Sequence, residues 1–553
     1  MSDENLTFFG IDLGTTYSVV SYIDETGRPS VVRNVITNSE TTPSVVYFEE
    51  DSGEVVVGAA AKNVSRVYPS RVVERVKRSM GHEVQWDFDG RTYTAEAISA
   101  LVLKRLAEDA RDYTGREVRQ VVITVPAYFG MLERDATRNA GRIAGLDVVG
   151  IVPEPVAAAL QYEVASGDSP RTVLVYDLGG GTFDTTVIRI SADAVEVLCT
   201  DGDQELGGVE WDKRLVDYLL SEFVARTEPE DDPGEDEQFM QELQLTAEEL
   251  KRHLSSAGSR KVPMRFGGAV ATVEVTRDIF EEITRDHLER TVEYTERTLG
   301  KLAAKTGVAD PAAAVDEVLL VGGSSKMPAV SRRLTEKWPN WKPRLHDPDL
   351  AVAKGAARFA LSRALWDWER AGEDEPSAEE KQARVADLAI RSGLDEAALR
   401  EMAAKRIVNV LPKSFGVKLR DSDDPGRFYI EHLVHADEQL PSGVRMLHAQ
   451  TAEDGQTAVQ IEIFEQAGAT ESPELDANKA VDRGLGEITG LPALRRGSPI
   501  DISMVIDDEG LLTLRAVEPG TGKDLTIEVR VSILSESEVE EAREVVAGIT
   551  VRS

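Results

Sequence analysis

The sequence predicts an α/β protein in two parts: a two-lobed region of alternating strands and helices, followed by an antiparallel β-sandwich. Three observations support this prediction. Apolar strand-like runs alternate with amphipathic helical runs from Phe8 to about Leu365, which is typical of α/β folds. One strand–turn pattern occurs twice within that region. From Ile407 onward, short apolar runs are bounded by Gly, Asp and Pro clusters, as in a sandwich.

Length, charge and cysteine content exclude several classes of protein. At roughly 150 residues per domain, 553 residues predict three or four folding units. A formal net charge of −35 argues against a nucleic-acid partner, because phosphate backbones are bound by clustered Lys and Arg. No run approaches the roughly 18 apolar residues of a membrane span, and the polar, acidic start does not resemble a signal peptide. The one cysteine, Cys199, allows no intramolecular disulfide. We therefore expect a cytoplasmic protein with neither a nucleic-acid nor a membrane partner.

Hydrophobic periodicity places the elements of the two-lobed region. The candidate strands include Phe8–Leu13, Val19–Ile23, Val121–Val125, Val173–Leu178, Thr186–Ile190 and Val318–Val321. The candidate helices include Ala95–Tyr113, Leu132–Ala144, Trp211–Arg226, Gln238–Leu254 and Arg277–Lys305. An acidic stretch from Glu228 to Glu237 is interpreted as a solvated loop before a helix.

The repeated pattern is an apolar strand, an Asp, a glycine-containing turn and hydroxyl side chains. Asp12 precedes the turn 14–16 in the first copy, and Asp177 precedes the turn 179–182 in the second. Glycine lets the backbone N–H groups approach a triphosphate closely, and carboxylates hold a divalent ion, often through water. Neither turn is a Walker loop or a dinucleotide fingerprint. Two copies predict two similar lobes that clasp phosphates across one cleft. A third signal, the strand 318–321 ending at Gly322 and Gly323, suits an adenosine lying against the backbone, although by itself it could equally reflect tight strand–helix packing.

Together these motifs resemble the ATPase domain of the 70-kDa heat-shock (DnaK-type) chaperone family, from about Phe8 to Leu365. They stand in the family's order and at near-family spacing. They separate that family from actins and sugar kinases, which share only the scattered glycine turns. The resemblance implies an actin-like two-lobed ATPase domain. The matching motifs are Gly10–Ser18, Val125–Phe129, Asp177–Asp184, Leu206–Gly208 and Leu320–Ser324.

The resemblance implies a Mg²⁺-dependent ATP hydrolase in which an in-line water attacks the γ-phosphate. The catalytic residues that it assigns are Lys77, Asp12, Asp177, Thr182, Glu154 and Asp184, with Lys77 positioning the water and Asp12 and Asp177 facing the hydrated ion. The residues that it assigns to ATP or ADP are Gly14, Thr15, Thr16, Tyr17, Gly179, Gly180, Gly181, Gly207, Gly208, Glu248, Lys251, Arg252, Ser255, Gly322, Gly323, Ser324, Lys326 and Asp349. K⁺ is a further candidate ion. Lys326 stands where the family usually has an arginine, which weakens stacking on adenine. Pro126 and Arg134 match a pair that relays the nucleotide state.

The second part resembles the peptide-binding sandwich of the same family over about Ile407 to Val531. The resemblance implies capture of extended segments of unfolded polypeptide by main-chain hydrogen bonds and apolar pockets. Ala452, Val459 and Ile461 map onto the peptide groove, although alternating strand residues can equally fill the sandwich core. The strands expected there are Phe415–Leu419, Phe428–His435, Val444–Ala449, Ala458–Phe464, Ile500–Ile506, Leu511–Ala516 and Leu525–Val531.

The expected organisation has four segments. They are an actin-like ATPase domain over 1–365, a helical connector over 366–406, a β-sandwich over 407–532 and a short helix over 533–553 that represents a truncated lid. In the connector, Ser377 and Glu380 have capping-box spacing, which predicts a helix to about Arg391 and a second helical stretch to about Lys405. Packing of Trp366 and Trp368 against the ATPase domain is favoured over a partner contact. Without a full lid, bound peptide is expected to leave quickly.

Several departures from the family pattern affect the expected partners. The apolar interdomain linker of the family is replaced by the stretch 403–410, and the arch loop 420–427 is polar. Four positions used for J-domain co-chaperones carry other residues, which argues against an ordinary J-domain partner; they are Gly150, Pro153, Val156 and Asn409.

The leading interpretation is an ATP-driven chaperone that binds unfolded polypeptide, with a nucleotide-exchange factor as a candidate partner. The first alternative is a nucleotide-switched scaffold that binds one specific folded protein. An exchange factor for another chaperone and a small-molecule kinase are the remaining alternatives. The catalytic set around Lys77 argues against the exchange factor, and the sandwich has no use in a kinase.

Overall fold

The computed structural model describes residues 8–50, 52–163, 170–191, 194–370, 377–392, 396, 406–468, 470–507, 510–529 and 534–552. The chain divides into two compact units. Unit 1 comprises 1–127, 137–406 and 536–553, and unit 2 comprises 128–136 and 407–535. Each unit is described by itself below.

The first lobe, residues 8–163, carries a mixed sheet, a smaller sheet and four helices. The main sheet has the order β11-β10-β1-β2-β3, with β4 also pairing with β2. The central strands β1 and β10 run parallel. Nearly all of their residues are buried, so neither face of this part of the sheet is exposed to solvent. The strands are β1 Phe9–Asp12, β2 Tyr17–Ile23, β3 Pro29–Val31, β4 Thr42–Pro43, β5 Val45–Phe48, β6 Val55–Val57, β7 Val72–Glu74, β8 Gln85–Phe88, β9 Arg91–Thr94, β10 Gln120–Val125 and β11 Asp147–Pro153. The helices are α1 Ala59–Val64, α2 Ala95–Thr114, α3 Met131–Ile143 and α4 Glu154–Glu163.

The second lobe, residues 170–345, is built around a sheet in the order β18-β17-β12-β13-β14. Its core is one cluster that includes Tyr176, Phe183 and Phe223, all fully buried. The strands are β12 Arg171–Leu178, β13 Phe183–Ile190, β14 Ala194–Asp203, β15 Ser259–Phe266, β16 Ala269–Thr276, β17 Glu317–Val321 and β18 Arg344–Leu345. The helices are α5 Gly208–Thr227, α6 Glu237–Leu254, α7 Arg277–Ile283, α8 Arg285–Thr306 and α9 Pro328–Lys337. The six strands expected from periodicity all form, each within two or three residues of its expected bounds.

Helix ends follow capping chemistry, and two of them differ from expectation. The Asp236 side chain caps α6 by accepting from the Phe239 N–H at 2.7 Å. The helix expected over 277–305 is two helices, because Thr284 leaves the helical conformation and ends α7. A tenth helix, α10 Ala351–Arg370, packs on α4 and β1. It continues past the domain boundary expected at residue 365. In the connector, α11 spans Ala378–Ser392, as the spacing at Ser377 predicts. The second helical stretch expected there lies largely outside the described residues, and so do the side chains of the two connector tryptophans.

Unit 2 contains two four-stranded sheets that share one core. The sheet orders are β21-β20-β23-β24 and β22-β25-β26-β27, and the core cluster draws apolar side chains from both, which confirms the sandwich. A short strand, β19 Arg406–Val408, precedes these sheets and belongs to neither of them. The eight strands of the two sheets are β20 Phe415–Arg420, β21 Phe428–Val434, β22 Arg445–Gln450, β23 Val459–Gln466, β24 Asn478–Ile488, β25 Pro499–Ile506, β26 Leu512–Glu518 and β27 Lys523–Val529. Periodicity misses β24, because glycines and polar residues interrupt its apolar alternation.

After the sandwich the chain returns to unit 1. Helix α12, Glu536–Ala547, packs against α2, and β28, Val551–Arg552, pairs with β6. The sequence predicts this helix but not the strand that follows it. Among the described residues, none of the helices combines the length and apolar character needed to cross a membrane.

Candidate nucleotide site

The site lies where four elements of unit 1 end close together. Asp12 is the final residue of β1, and Glu154 is the first residue of α4. Asp177 of β12 is directly opposite Asp184 of β13 in the strand register. Like charges in such cross-strand positions repel each other, so this pairing has a stability cost that a bound cation would relieve.

A buried lysine lies among these carboxylates. Lys77 occupies a 3₁₀ turn, Val76–Ser79, and is 5% exposed. Its ammonium forms an ion pair with Glu154 at 2.5 Å. Burial opposes the charged form, but the carboxylates of Glu154, Asp12 and Asp177 raise the pKa of Lys77 above its ordinary value. The lysine is therefore a fixed positive charge at neutral pH.

The aspartates have strongly perturbed pKa values. Burial, followed by the charge of Glu154, raises the pKa of Asp12 to about 7, although Lys77 and a hydrogen bond from Thr124 at 3.2 Å oppose the shift. Burial and Glu154 also raise the pKa of Asp177 and of Asp184 well above the ordinary range. Crowded, buried carboxylates of this kind are typical of functional sites that bind a cation.

The two repeated turns are in direct contact. A Cβ placed on Gly180 would overlap Thr16 Oγ1, and one on Gly181 would overlap Thr15. Thr15 and Thr182 are 6% and 9% exposed. The sequence prediction that turns from opposite lobes face each other is therefore met in the geometry, and only glycine permits so close an approach.

Gly207 and Gly208 lie against the second of these turns. The Gly208 N–H donates to the Gly179 carbonyl at 3.0 Å, and the Val209 N–H donates to the Gly180 carbonyl at 2.8 Å. A Cβ on Gly207 would overlap the backbone of Gly181. These bonds fix the second turn at the start of α5, where the helix N-terminus favours anionic ligands.

The third glycine turn lies beside the same aspartate. Gly322 has φ 80°, donates its N–H to the Pro348 carbonyl at 2.9 Å, and has no room for a Cβ beside Asp177. Gly323 approaches Asp349, which forms an ion pair with Lys326. Ser324 is buried. The turn that the sequence predicts to contact adenosine therefore lies beside the carboxylate cluster.

Helix α6 supplies the residues predicted to bracket the adenosine. Lys251 is buried and donates to the Gly208 carbonyl at 2.8 Å and to Asp212 at 2.7 Å. The Ser255 hydroxyl donates to the Lys251 carbonyl at 3.1 Å, so its described bond lies within the helix. Arg252 lies over the Tyr17 ring, 5.7 Å from its centroid.

One residue that the sequence analysis did not select, Lys62, closes a network between the lobes. Its ammonium forms an ion pair with Glu248 at 2.5 Å and donates to the Tyr17 hydroxyl at 3.0 Å. Tyr17 in turn donates to Glu248 at 2.8 Å. Burial opposes the charge on Lys62, but the carboxylate of Glu248 raises its pKa. Lys62 stands in an Ala-rich helix without a motif, so no local signal distinguished it.

Arg78 is a second residue that the sequence analysis did not select. Its guanidinium donates to the Gly181 carbonyl at 2.5 Å and pairs with Glu210 at 2.7 Å. It thereby connects the turn that carries Lys77 to the glycine turn of the second lobe. Its position beside Lys77 was the available signal.

The proposed relay pair is divided between the two units. Pro126 follows β10 in unit 1, and the N–H of the next residue, Ala127, bonds to the Asp184 carboxylate. Arg134 belongs to unit 2, where its guanidinium donates to the Phe129 carbonyl at 2.8 Å. The proline is thus one residue from the carboxylate cluster.

The three candidate groove residues have different environments in unit 2. Ile461 is 5% exposed and belongs to the sandwich core. Val459 is half-buried and packs against that core, whereas Ala452 lies exposed in the loop after β22. Ile461 therefore fills the core, which was the alternative interpretation of its alternating position. Arg420, at the end of β20, pairs with Glu453 at 2.7 Å.

The residues of unit 1 fit a nucleoside triphosphate with a hydrated cation. Three glycine turns form a cradle that a Cβ would fill. Within the described part of the chain, Thr16 Oγ1 and Asp184 Oδ1 are buried without a hydrogen-bond partner, as expected of groups that await a ligand. Among the described residues, no group of three or more His, Cys, Asp or Glu side chains is arranged so that it could hold a metal ion directly.

Comparison with protein-family models matches this chain to the Hsp70 protein family. The matched residues are 8–89, 82–361 and 396–548. They include both lobes and the sandwich.

Three of the curated proteins similar to the chain are described as chaperone protein DnaK. Those from Thermotoga petrophila and Thermotoga maritima are each 34% identical over 537 residues, covering 96% of this chain and 81% of the relative. The protein from Thermosipho melanesiensis is 34% identical over 539 residues with the same coverage.

Proposed function

The chain belongs to the Hsp70 family of ATP-dependent molecular chaperones, and on that premise we propose that it hydrolyses Mg-ATP in the cleft around Lys77 and captures extended segments of unfolded polypeptide. The single observation that carries the proposal is the buried Lys77 among the carboxylates of Glu154, Asp12 and Asp177, in a unit whose two glycine turns are in contact. We further propose that the protein acts in the cytoplasm.

The catalytic part of the proposal assigns positioning and charge to this chain's own side chains. Lys77 would orient the attacking water toward the γ-phosphate, because its ammonium is already fixed by Glu154 at 2.5 Å. Asp12 and Asp177 would hold the hydrated Mg²⁺, whose bound charge neutralises the phosphates. Phosphoryl transfer of this type needs mainly such positioning and electrostatic stabilisation.

Nucleotide binding is assigned to the three glycine turns and α6. The turns at 14–16 and 179–182 would present backbone N–H groups to the phosphates. Lys251, Arg252 and the turn at Gly322 would enclose the adenosine. The ion pair of Lys62 with Glu248 would retain the nucleotide by holding the lobes together.

The peptide-binding part is assigned to the sandwich. Val459 and Ala452 are accessible and can contact a bound segment, whereas buried Ile461 would act by supporting the groove from the core. A nucleotide-exchange factor is a proposed partner, and the residues at the J-domain positions argue against an ordinary J-domain protein.

Single-turnover ATP hydrolysis, measured with and without an extended apolar peptide, tests the proposal. The parent protein is expected to hydrolyse ATP, and peptide should accelerate it. Lys77→Ala should lower the rate by about 100-fold or more while retaining nucleotide, because it removes a group that acts in the transition state. Lys261→Ala, an exposed lysine of β15, is the control and should match the parent.

Two results would contradict parts of this proposal separately. Equal rates for the parent and Lys77→Ala would reject the catalytic assignment. Hydrolysis that depends on Lys77 but ignores peptide would reject the peptide assignment and favour the scaffold alternative.

A further inference from the structure

The segment from Glu536 to Arg552, which we call the strap, is built into the first lobe. Its helix α12 packs against α2, and its strand β28 extends the edge of the small sheet by pairing in parallel with β6. Val551 is opposite Val55, and the Val55 N–H donates to the Thr550 carbonyl at 3.1 Å. The strap therefore satisfies an edge that would otherwise present unpaired backbone groups.

Apolar burial and specific polar bonds hold the strap in place. Its four apolar anchors are at most 7% exposed; they are Val539, Val546, Ile549 and Val551. The Lys104 ammonium of α2 donates to the carbonyls of Val546 at 3.0 Å and Ile549 at 2.8 Å, a favourable position for a cation at a helix C-terminus. Arg142 pairs with Glu536 at 2.6 Å.

Two strands of the sheet that receives the strap lead into elements that carry Lys77 and Lys62 of the proposed nucleotide site. Its strand order is β28-β6-β5-β7. Strand β7 ends at Glu74 and is followed, after Arg75, by the 3₁₀ turn that contains Lys77. Strand β6 leads through Gly58 into α1, which carries Lys62. Both lysines thus lie in elements that directly follow strands of this sheet, Lys77 after β7 and Lys62 after β6.

We propose that the strap is a positioning element of the ATPase site, which holds the small sheet so that Lys77 and Lys62 stay in register with the second lobe. The inference rests on the proposed roles of these lysines. The strap follows β27 after residues 530–535 only. The sandwich is therefore connected covalently to the first lobe twice, through the connector and through the strap. Peptide binding to the sandwich can alter the rate of ATP hydrolysis through this second connection.

Proline substitution within the strap tests this proposal against a matched control. Arg552→Pro removes the backbone N–H of a residue paired with Val56, together with the exposed Arg552–Glu54 ion pair. Arg552→Ala removes the ion pair alone, which contributes little at an exposed site. The readouts are amide hydrogen exchange at Val55–Val57, the single-turnover rate at saturating ATP, and the rate of ADP release.

The expected result is loss of protection at Val55–Val57 in Arg552→Pro, with hydrolysis slowed about tenfold and ADP released faster, since small displacements of positioned groups cost large factors in rate. Arg552→Ala should behave as the parent. Lost protection with parental rates, or parental protection and rates in the proline variant, would overturn the proposal.

A variant that lacks residues 536–553 separates loss of positioning from misfolding. A synthetic peptide of that sequence, added in trans, should restore protection and rate, and failure to restore either would overturn the proposal. If the parent hydrolyses ATP independently of Lys77, the proposed function fails instead, and the exchange data still report whether the strap protects β6.

Discussion

Lys77 lies in the middle of the proposed site, among buried carboxylates that repel one another. One ammonium faces the carboxylates of Glu154, Asp12 and Asp177 inside a buried cluster. The raised pKa values of the aspartates indicate that their charges are costly in the protein alone. The carboxylates of the site therefore lower the stability of the ATPase unit when no cation is bound.

This cost predicts a pH-dependent gain in stability for Asp12→Asn. The pKa of Asp12 rises from 3.8 to about 7 on folding, so its contribution to stability is complete below about pH 4 and is lost as pH rises through 7. Asparagine remains neutral. The nucleotide-free variant should therefore melt higher than the parent by thermal unfolding, and by more at pH 8 than at pH 5.

The exposed Asp217→Asn is the control and should show no such pH-dependent difference. The same Asp12→Asn variant should bind Mg-ATP more weakly than the parent. An equal melting difference at the two pH values would disprove the electrostatic account.

Replacing glycine by alanine is expected to have opposite effects at two positions, a loss of ATP affinity at Gly181 and a gain of stability at Gly300. Gly181→Ala introduces a Cβ that overlaps Thr15, so we expect ATP affinity to fall by about tenfold or more. Gly300→Ala, in the middle of α8, meets no atom within 4 Å and should stabilise the helix by about 0.5–1 kcal/mol. Nucleotide titration and thermal unfolding of both variants check this, and parental ATP affinity in Gly181→Ala would refute the close approach of the turns.

At the scale of elements, α1 and α6 are joined by one partly buried network. Lys62 of α1 pairs with Glu248 of α6, with side chains 17% and 15% exposed. A neighbouring pair, Arg66 and Glu249, joins the same region at 3.7 Å but is about half exposed. Buried pairs are costly to break because the remaining charge loses its partner, whereas exposed pairs contribute little.

Lys62→Met should therefore accelerate ADP release by about tenfold, since it leaves Glu248 buried without its cation. Arg66→Met should change the release rate by less than about twofold. Stopped-flow release of a fluorescent ADP analogue measures both. Similar effects of the two substitutions would show that the buried network does not retain the nucleotide.

At the scale of the whole molecule, the chain forms two units that interleave along the sequence. Residues 128–136 group with the sandwich, and residues 536–553 group with the ATPase lobes. Each unit has a hydrophobic core of its own, so each can respond separately to ligands and to core substitutions.

Calorimetric unfolding is expected to resolve two transitions that respond to different perturbations. Mg-ADP at about 100 times its Kd should stabilise the ATPase unit by about 2.7 kcal/mol and leave the other transition in place. Ile461→Ala should lower only the sandwich transition, by about 2–5 kcal/mol, because Ile461 is core. The half-buried Val459→Ala should cost less. A single transition that moves with both changes would contradict independent units.

The sequence by itself determined the local features of the fold and site. Asp12 and Asp177 with their glycine turns, the strands that carry them, and helix α6 follow from periodicity and motif chemistry. These features depend on residues close in sequence, because backbone propensity and the conformational freedom of glycine in a turn act locally. The sandwich was predictable for the same reason wherever its strands alternate.

Tertiary structure alone decided what distant segments do together. Lys62 could be recognised as a site residue only from its contact with Glu248, which lies 186 positions later in the chain. Strand β24 escaped prediction because Gly484 and Gly486 serve its packing: Ile463 and Ile527 occupy the space of their missing side chains. Strand β28 is two residues long and exists only because β6 offers an edge. Such contacts depend on the spatial complementarity of elements far apart in the chain, which no local pattern encodes.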